Sequence, residues 1–346
     1  MVVLVGPLAD RKMLRVLGLT GHPTQIAGRL TGGARAGTGG DWPVLKPGAG
    51  TITGVEVQPT ARLDRYARIM GLRTEDVDGR SIMGIGEDST VSDHGVNADL
   101  IAAVAAHVLE SDQPDEDIAR RIGPIAGWIA SRLRGASAAK PLAARQVESL
   151  SCAEPYSDYF AVEAHRLRHT TFAGGWSADL RRAVFVSGDA CVVLPWDPVR
   201  DLVLLIEQFR PGPFARHDPN PWLIETIAGR IDAGESPEDA ARREAIEEAG
   251  LTLHELIQAP SAYSSPGMVA EYLYNFVAIT ELDPATGTVG GLETEDEDIR
   301  SFTVPREELT RMAMAGEIGN GPLLTLALWL ECSHAELRQQ FGTQPR

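Results

Sequence analysis

Basic residues are scarce in this sequence. Lys and Arg number 32 against 48 Asp and Glu in 346 residues, a formal net charge of −16. Such a chain lacks the basic surface that non-specific nucleic-acid binding needs, so no nucleic-acid partner is expected. Cysteine is scarcer still: Cys152, Cys191 and Cys332 stand far apart, with no CxxC and no paired His. Neither a disulfide framework nor a zinc site is indicated, and a sparse, odd count fits a reducing cytosol. Long apolar runs are missing too. The apolar run at residues 323–330 falls well short of the ~20 residues a spanning helix takes, and no run approaches that length, so no membrane partner is expected. Residues 1–8 are apolar, but Asp10, Arg11 and Lys12 interrupt them at once. That is not the order of a signal peptide, and the cytoplasm is the expected location.

What is present is ordinary for a globular protein: 43% hydrophobic and 23% charged residues. At ~100–200 residues per domain the length suggests two domains, each able to bury a core without staples. Residues 2–5 and 54–58 read as strands, and the glycine-rich stretch 31–40 as a loop. Residues 98–109 and 118–133 carry apolar side chains at helical spacing. Residues 134–142 are small and read as a linker, which puts the domain boundary near 145. Residues 146–346 read as a sandwich of mixed strands and helices, with strands at 190–194, 202–206 and 272–279 and turn chemistry between the first two at 196–201. Ser236, Pro237, Glu238 and Asp239 make a helix start: Ser as cap, Pro in the first turn, acids beside the positive end of the dipole. The helix over 240–249 stops at Gly250.

That helix carries Arg243, Glu244, Glu247 and Glu248. Glu244 and Glu248 are four residues apart and Glu247 is three from Glu244, so the three carboxylates gather on one face. Ala240, Ala241, Ala245 and Ile246 are expected to form the apolar face that packs. Like charges so placed repel unless cations separate them. One reading is a solvated acidic face; the other is a site for hard divalent cations, which take oxygen ligands and are often shared with phosphates.

The flanking residues decide between them. Gly229 is followed after five residues by Glu235, after seven more by Arg243 and Glu244, and then by Glu247, Glu248, Gly250 and Leu251. The chain therefore resembles the Nudix hydrolases, whose signature is G-x5-E-x7-R-E-U-x-E-E-x-G-U with U apolar. Every fixed position matches. The resemblance extends to the ADP-ribose pyrophosphatase branch over roughly residues 155–332. It is carried by residues 194–201 (Leu-Pro-Trp-Asp-Pro-Val-Arg-Asp), 205–210 (Leu-Ile-Glu-Gln-Phe-Arg), 221–229 and 264–267. Pro266, sixteen positions after Gly250, is the mark of that branch, and residues 290–300 (Gly-Gly-Leu-Glu-Thr-Glu-Asp-Glu-Asp-Ile-Arg), with their acidic run 293–298, resemble its acidic loop.

The resemblance implies an acid anhydride hydrolase that uses Mg2+, or Mn2+ in its place, to split ADP-ribose into AMP and ribose 5-phosphate. Another nucleoside diphosphate sugar, or a nucleotide sensor without hydrolysis, are the alternatives. It implies Glu244 and Glu248 as metal ligands with the Ala228 carbonyl, Glu247 in support, and Gly229 and Gly250 as structural glycines. Glu235 is expected to orient Arg243 rather than touch metal. Glu295 is expected as the general base and Glu297 as a further ligand, although which of the two is the base stays open. A base must lie within a hydrogen bond of the attacking water. Arg182 and Arg210 match phosphate-binding arginines, whose forks donate two parallel bonds. Glu225, Gly267 and Glu271 match substrate-binding positions. The chain departs from the branch at Ala183, where an acid is common. A homodimer is expected, since a second subunit commonly completes the site in this branch.

Residues 1–75 resemble the γ-glutamylcyclotransferase-like (AIG2-like) fold, a small mixed, barrel-like sheet, through Val5, Gly6, Pro7 and Leu8, residues 42–48, and Leu63 to Tyr66. The catalytic glutamate of that family is replaced by Ala67, so domain 1–145 is expected to be inactive and to bind, dimerise or regulate. Fusion of such a domain to a Nudix domain is similar to proteins of a tellurite-resistance-associated type.

Overall fold

The structure, a computed structural model, describes residues 1–40, 42–86, 97–137, 145–283, 287–291 and 297–342. It divides into two compact units: Met1–Arg182 with Asp232–Gly234, and Ala183–Ile231 with Glu235–Arg346.

The first unit opens with β1 (Val2–Leu4) and α1 (Arg11–Leu17), the helix capped by Asp10, whose side chain accepts from the Lys12 N–H. β2 (Gly21–Thr31) and β3 (Val44–Val57) form a long hairpin with a bulge between Ala27 and Arg29. Gly28 at φ 125° supplies the backbone state that this bulge takes and L side chains avoid. α2 (Ala61–Ile69), β4 (Arg73–Val77) and β5 (Arg80–Ile85) follow. The sheet runs in the order β2-β3-β1-β5-β4, with β1 and β5 parallel. Ala67 stands on α2 beside the fully buried Tyr66. Three helices come next: α3 (Ala98–Glu110), α4 (Asp115–Arg120) and α5 (Ile122–Ser137). The expected linker is corrected in part. Residues 134–137 continue α5, where Arg and Ala favour helix, and residues 138–144 lie outside the described residues. β6 (Val147–Ser157) and β7 (Ala161–His169) then form an antiparallel hairpin that hydrophobic patterning did not reveal.

β8 (Leu180–Val186) spans the division. The second unit is built on β9 (Ala190–Asp197) and β10 (Leu202–Phe209). The turn expected at 196–201 begins later, because Trp196 and Asp197 still pair in β9 with Val203 and Leu202. Short α6 (Pro211–Ala215), β11 (Trp222–Glu225) and β12 (Ile227–Arg230) lead to α7 (Pro237–Ala249). After it come β13 (Glu255–Gln258), β14 (Ala262–Tyr263), β15 (Val269–Ala270) and β16 (Tyr272–Ile279). β17 (Gly287–Gly290), β18 (Ile299–Pro305), α8 (Arg306–Ala315) and α9 (Gly321–Phe341) complete the unit. Among the described residues no helix is long and apolar enough to cross a membrane.

The main sheet runs β13-β16-β9-β10-β18-β17, with β16 and β9 parallel. Alternation along β9 sorts its side chains between two layers. Cys191 and Val193 join the α7 alanines in one core; Val192, Leu194 and Trp196 join Leu323, Leu326 and Leu330 of α9 in the other. A strand buried on both faces reads as a continuous apolar run for this reason. The result is an α/β/α sandwich.

Candidate active site

A split between strands builds the site. β9 and β10 pair only beside their turn and then part, β12 pairing with β9 and β11 with β10. Thr226 stands at the crossing, its hydroxyl donating to the Val193 carbonyl. Glu225, Ala228 and Gly229 are thereby delivered from the two strands, the latter two against α7.

Local sequence sets α7. The Ser236 hydroxyl accepts from the Asp239 N–H at 3.1 Å, Pro237 opens the helix, and Gly250 ends it at φ 63°. Ala240, Ala241, Ala245 and Ala249 are buried, and their small side chains let the helix lie close to the sheet. Ile246, expected on this face, is corrected: it is 59% exposed, and Ala249 takes the inner place. Ala241, Ala245 and Ala249 form one i,i+4 row, while Ile246 lies a hundred-degree step beyond it.

The carboxylates are placed in depth. Glu248 is 2% exposed, and its Oε2 accepts from the Ala228 N–H at 3.2 Å. Glu244 lies against Gly229, where a Cβ would stand 1.9 Å from its carboxylate carbon. Glycine is required here by close approach, not by φ. Arg243 spends its donors on the surrounding acids. Nε and Nη2 pair with the two Glu235 oxygens, both at 3.1 Å; Nη1 reaches Glu244 at 2.7 Å and Glu247 at 2.9 Å; Nη2 also donates to the Arg230 carbonyl at 2.9 Å. Burial works against the Arg243 charge, but Glu235 and Glu244 outweigh it and hold the guanidinium protonated.

Burial pushes the Glu244 carboxyl up to about 7; Arg243 opposes, and Glu247 and Glu297 push further. Burial also pushes Glu248 well above the usual carboxylate range, with Glu244 and Glu297 adding to it against the Ala228 N–H and Arg210. A half-buried Glu297 therefore acts on the same two carboxylates. Facing it is a feature that sequence reading missed. A Cβ on Gly290 would meet the Glu248 carbonyl at 2.6 Å, and one on Gly291, at φ 103°, would meet Glu297 Cβ at 2.8 Å. The paired glycines before the acidic run were the available signal. Glu295 lies outside the described residues.

Arg210, partly exposed, and the buried Glu225 form a fork-to-fork pair, with Nε 3.1 Å from both oxygens and Nη2 2.7 Å from Oε2. Burial lowers the proton affinity of Arg210, and Glu225, Glu248 and Glu297 more than restore it. Three other sequence-predicted residues have different surroundings. Arg182, at the end of the first unit, is exposed and donates to the Arg181 carbonyl. Glu271 accepts from the Ser187 hydroxyl at 3.2 Å. Gly267 sits in an exposed turn whose Met268 and Val269 N–H groups both reach the Ser265 carbonyl.

Glu244, Glu247, Glu248 and Glu297 are hard oxygen donors around a backbone cradle that admits no Cβ. Burial and the neighbouring like charges raise the proton affinity of Glu244 and Glu248, and a divalent cation would relieve the same repulsion. The residues fit Mg2+.

A NUDIX domain model matches residues 187–325. The chain is 39% identical to the ADP-ribose pyrophosphatase of Escherichia coli (strain K12) over 197 residues, 57% of this chain and 93% of that protein. It belongs to the Nudix family. The ADP-ribose pyrophosphatase of Haemophilus influenzae is 35% identical over 201 residues, 57% of this chain and 91% of its own. The GDP-mannose pyrophosphatase of Enterobacter sp. (strain 638) is 37% identical over 153 residues, 44% of this chain and 78% of its own. A solved structure titled as an ADP compounds hydrolase aligns at 20% identity and TM-score 0.42, over 56% of this chain and 98% of that one.

Proposed function

We propose that this chain hydrolyses the pyrophosphate bond of ADP-ribose, releasing AMP and ribose 5-phosphate. The observation that carries the reading is the pair of desolvated carboxylates, Glu244 and Glu248, held against the Ala228–Gly229 backbone, with Arg243 giving its fork to Glu235, one bond to Glu244 and none to Glu248. ADP-ribose pyrophosphatases that align over nine-tenths of their own length supply the substrate class.

Glu244, Glu248 and the Ala228 carbonyl would hold Mg2+, or Mn2+, with Glu297 reaching it and Glu247 in support. Bound there, the cation neutralises charge that builds on the phosphate oxygens and makes water a better nucleophile. The chain's own residues do the rest. Glu295 or Glu297 takes the proton of the attacking water. Arg210, held in place by Glu225, and Arg182 bind phosphate oxygens, while Gly267 and Glu271 serve the nucleoside side. Glu235 orients Arg243; Gly229 and Gly250 shape the turn of chain on either side of the helix.

Residues 1–145 form a γ-glutamylcyclotransferase-like domain without its catalytic acid, of the tellurite-resistance-associated type, and residues 146–346 the hydrolase. The protein works as a cytoplasmic homodimer.

The test is chromatographic measurement of AMP and ribose 5-phosphate released from ADP-ribose with Mg2+. Glu248→Gln should lower the rate about 100-fold or more, the scale of one lost group in an electrostatic catalytic site. Equal rates for the two proteins refute hydrolysis at this site. The GDP-mannose pyrophosphatase relatives support a second reading, another nucleoside diphosphate sugar as substrate; it prevails if GMP release from GDP-mannose is the faster reaction.

A further inference from the structure

The first unit brings three ligand-bearing side chains together on the β6–β7 hairpin. Cys152 stands directly opposite His165 in the antiparallel register, and Glu163 precedes His165 by two residues. Directly opposed residues share a face of a sheet, as do residues two apart along a strand, so all three project from one side. One ligand atom from each lies within 4.8 Å of the other two.

Their surroundings are organised. Glu163 is buried at 7% exposure. Its Oε1 is paired with Arg132 of α5, and its Oε2 is 2.9 Å from His165 Nε2. One carboxylate oxygen is thus fixed by a cation from behind while the other faces the imidazole. Cys152 is exposed, and its thiol meets the Ala153 carbonyl only at 4.0 Å. Sulfur, nitrogen and oxygen therefore converge with the sulfur side open to solvent.

We propose that Cys152, Glu163 and His165 form a binding site for a thiolate-accepting divalent transition-metal ion of the Zn2+ class. A tetrahedral ion with bonds of about 2.0–2.3 Å sets its ligand atoms roughly 3.3–3.8 Å apart, so the three groups need only small movements to close on it. Thiolate and imidazole select such an ion over Mg2+, which prefers oxygen alone. Thiolate and carboxylate together carry two negative charges, which the ion neutralises. The thiol proton goes to solvent; His165 gives up its contact with Glu163 and binds the metal through a ring nitrogen that carries no proton, the proton of the Glu163 contact passing to the other ring nitrogen or to solvent. Arg132 holds the carboxylate in position, the part an outer partner plays at metal sites. Solvent or a further ligand completes the fourth position.

The full chain is titrated with Co2+ in excess Mg2+ and followed by absorption. One Co2+ per chain should produce a near-ultraviolet thiolate-to-cobalt band, which Zn2+ then bleaches. Cys152→Ser should abolish the band with an unchanged far-ultraviolet dichroism spectrum, and Cys332→Ser should keep it. His165→Gln should weaken Co2+ binding at least about tenfold, no less than the loss of an outer partner. The proposal is overturned if no band forms at saturating Co2+, if the band survives in Cys152→Ser, or if His165→Gln binds as the wild type does. None of these readouts depends on pyrophosphate hydrolysis, so this site and the carboxylate site stand or fall separately.

Discussion

Stripped of divalent cations, the second unit should lose stability as pH rises. Burial pushes the folded Glu244 carboxyl up to about 7, against an ordinary value of 4.5. The unfolded chain gives up this proton near 4.5 and the folded chain only near 7. Between those values the folded state binds more protons, so the free energy of unfolding falls with increasing pH. The stability is fully present below about 4.5 and is lost as pH passes through about 7. A span of about 2.5 pH units at 1.36 kcal/mol each gives about 3 kcal/mol from this one side chain. Glu248, pushed in the same direction by burial and by Glu244, adds to the fall. For a unit of this size 1 kcal/mol moves the Tm by about 2–4 °C, so Glu244 alone accounts for roughly 6–12 °C. Mg2+ should reverse the trend by binding the ionised carboxylates.

The assay is scanning calorimetry of the full chain in chelator from pH 5 to 8, following the transition that added Mg2+ moves upward. Glu244→Gln supplies the control, because its amide cannot ionise. The stability difference between wild type and variant isolates Glu244, and it should change by about 2.5 kcal/mol between pH 5 and 8, against the wild type at high pH. A difference that stays flat refutes the claim that burial outweighs Arg243 at this carboxylate, and the demand for a cation falls with it.

Gly229→Ala would place a methyl group 1.9 Å from the Glu244 carboxylate; it should weaken Mg2+ binding in calorimetry and lower kcat about 100-fold, with an unchanged dichroism spectrum. Arg243→Ala leaves Glu235, Glu244 and Glu247 without their shared guanidinium, at a cost of about 3 kcal/mol in urea unfolding. Arg243→Lys should recover little of it, since an ammonium cannot reproduce the two-pronged contact with Glu235. Ser236→Ala removes only the α7 cap; about 1 kcal/mol of stability should go, read as a lower Tm, while kcat stays as it was.

Much of α7 was legible because its signals are local. Ser236, Pro237 and Gly250 announce the ends, and the spacing of Glu244, Glu247 and Glu248 announces the acidic face. β9 and β10 were legible as apolar runs. Periodicity could not decide which of two adjacent rows turns inward, and so Ile246 was misplaced. The strand split was also hidden. β11 and β12 have four residues each, and their partners are chosen by a sheet assembled elsewhere in the chain. Pairs across strands are equally silent in one dimension. Arg210 and Glu225 meet from β10 and β11, and Cys152 meets His165 across a hairpin, so no rule of ligand spacing finds either. Glu295 falls in the segment outside the described residues.

The arrangement of Arg243 explains why the cation demand falls on two particular carboxylates. One guanidinium serves three acids, and it serves them unequally. Glu235 takes the fork, two bonds to two oxygens, while Glu244 and Glu247 receive one bond each through Nη1. Glu248 lies one position further along the inner face and is bonded by a neutral backbone N–H instead. A neutral donor offsets less charge than an ionised one. The positive charge available inside the box is therefore spent at its entrance, and the deficit collects at Glu244 and Glu248, where proton affinity is raised. Protons and divalent cations compete for the same oxygens. The burial that raises the proton affinity is thus the same burial that makes a bound cation worth more there than in water, because fewer solvent dipoles screen it. Enlarging Gly229 or moving Arg243 would disturb one cause with two effects, and that is why this signature fixes glycine, arginine and glutamates together.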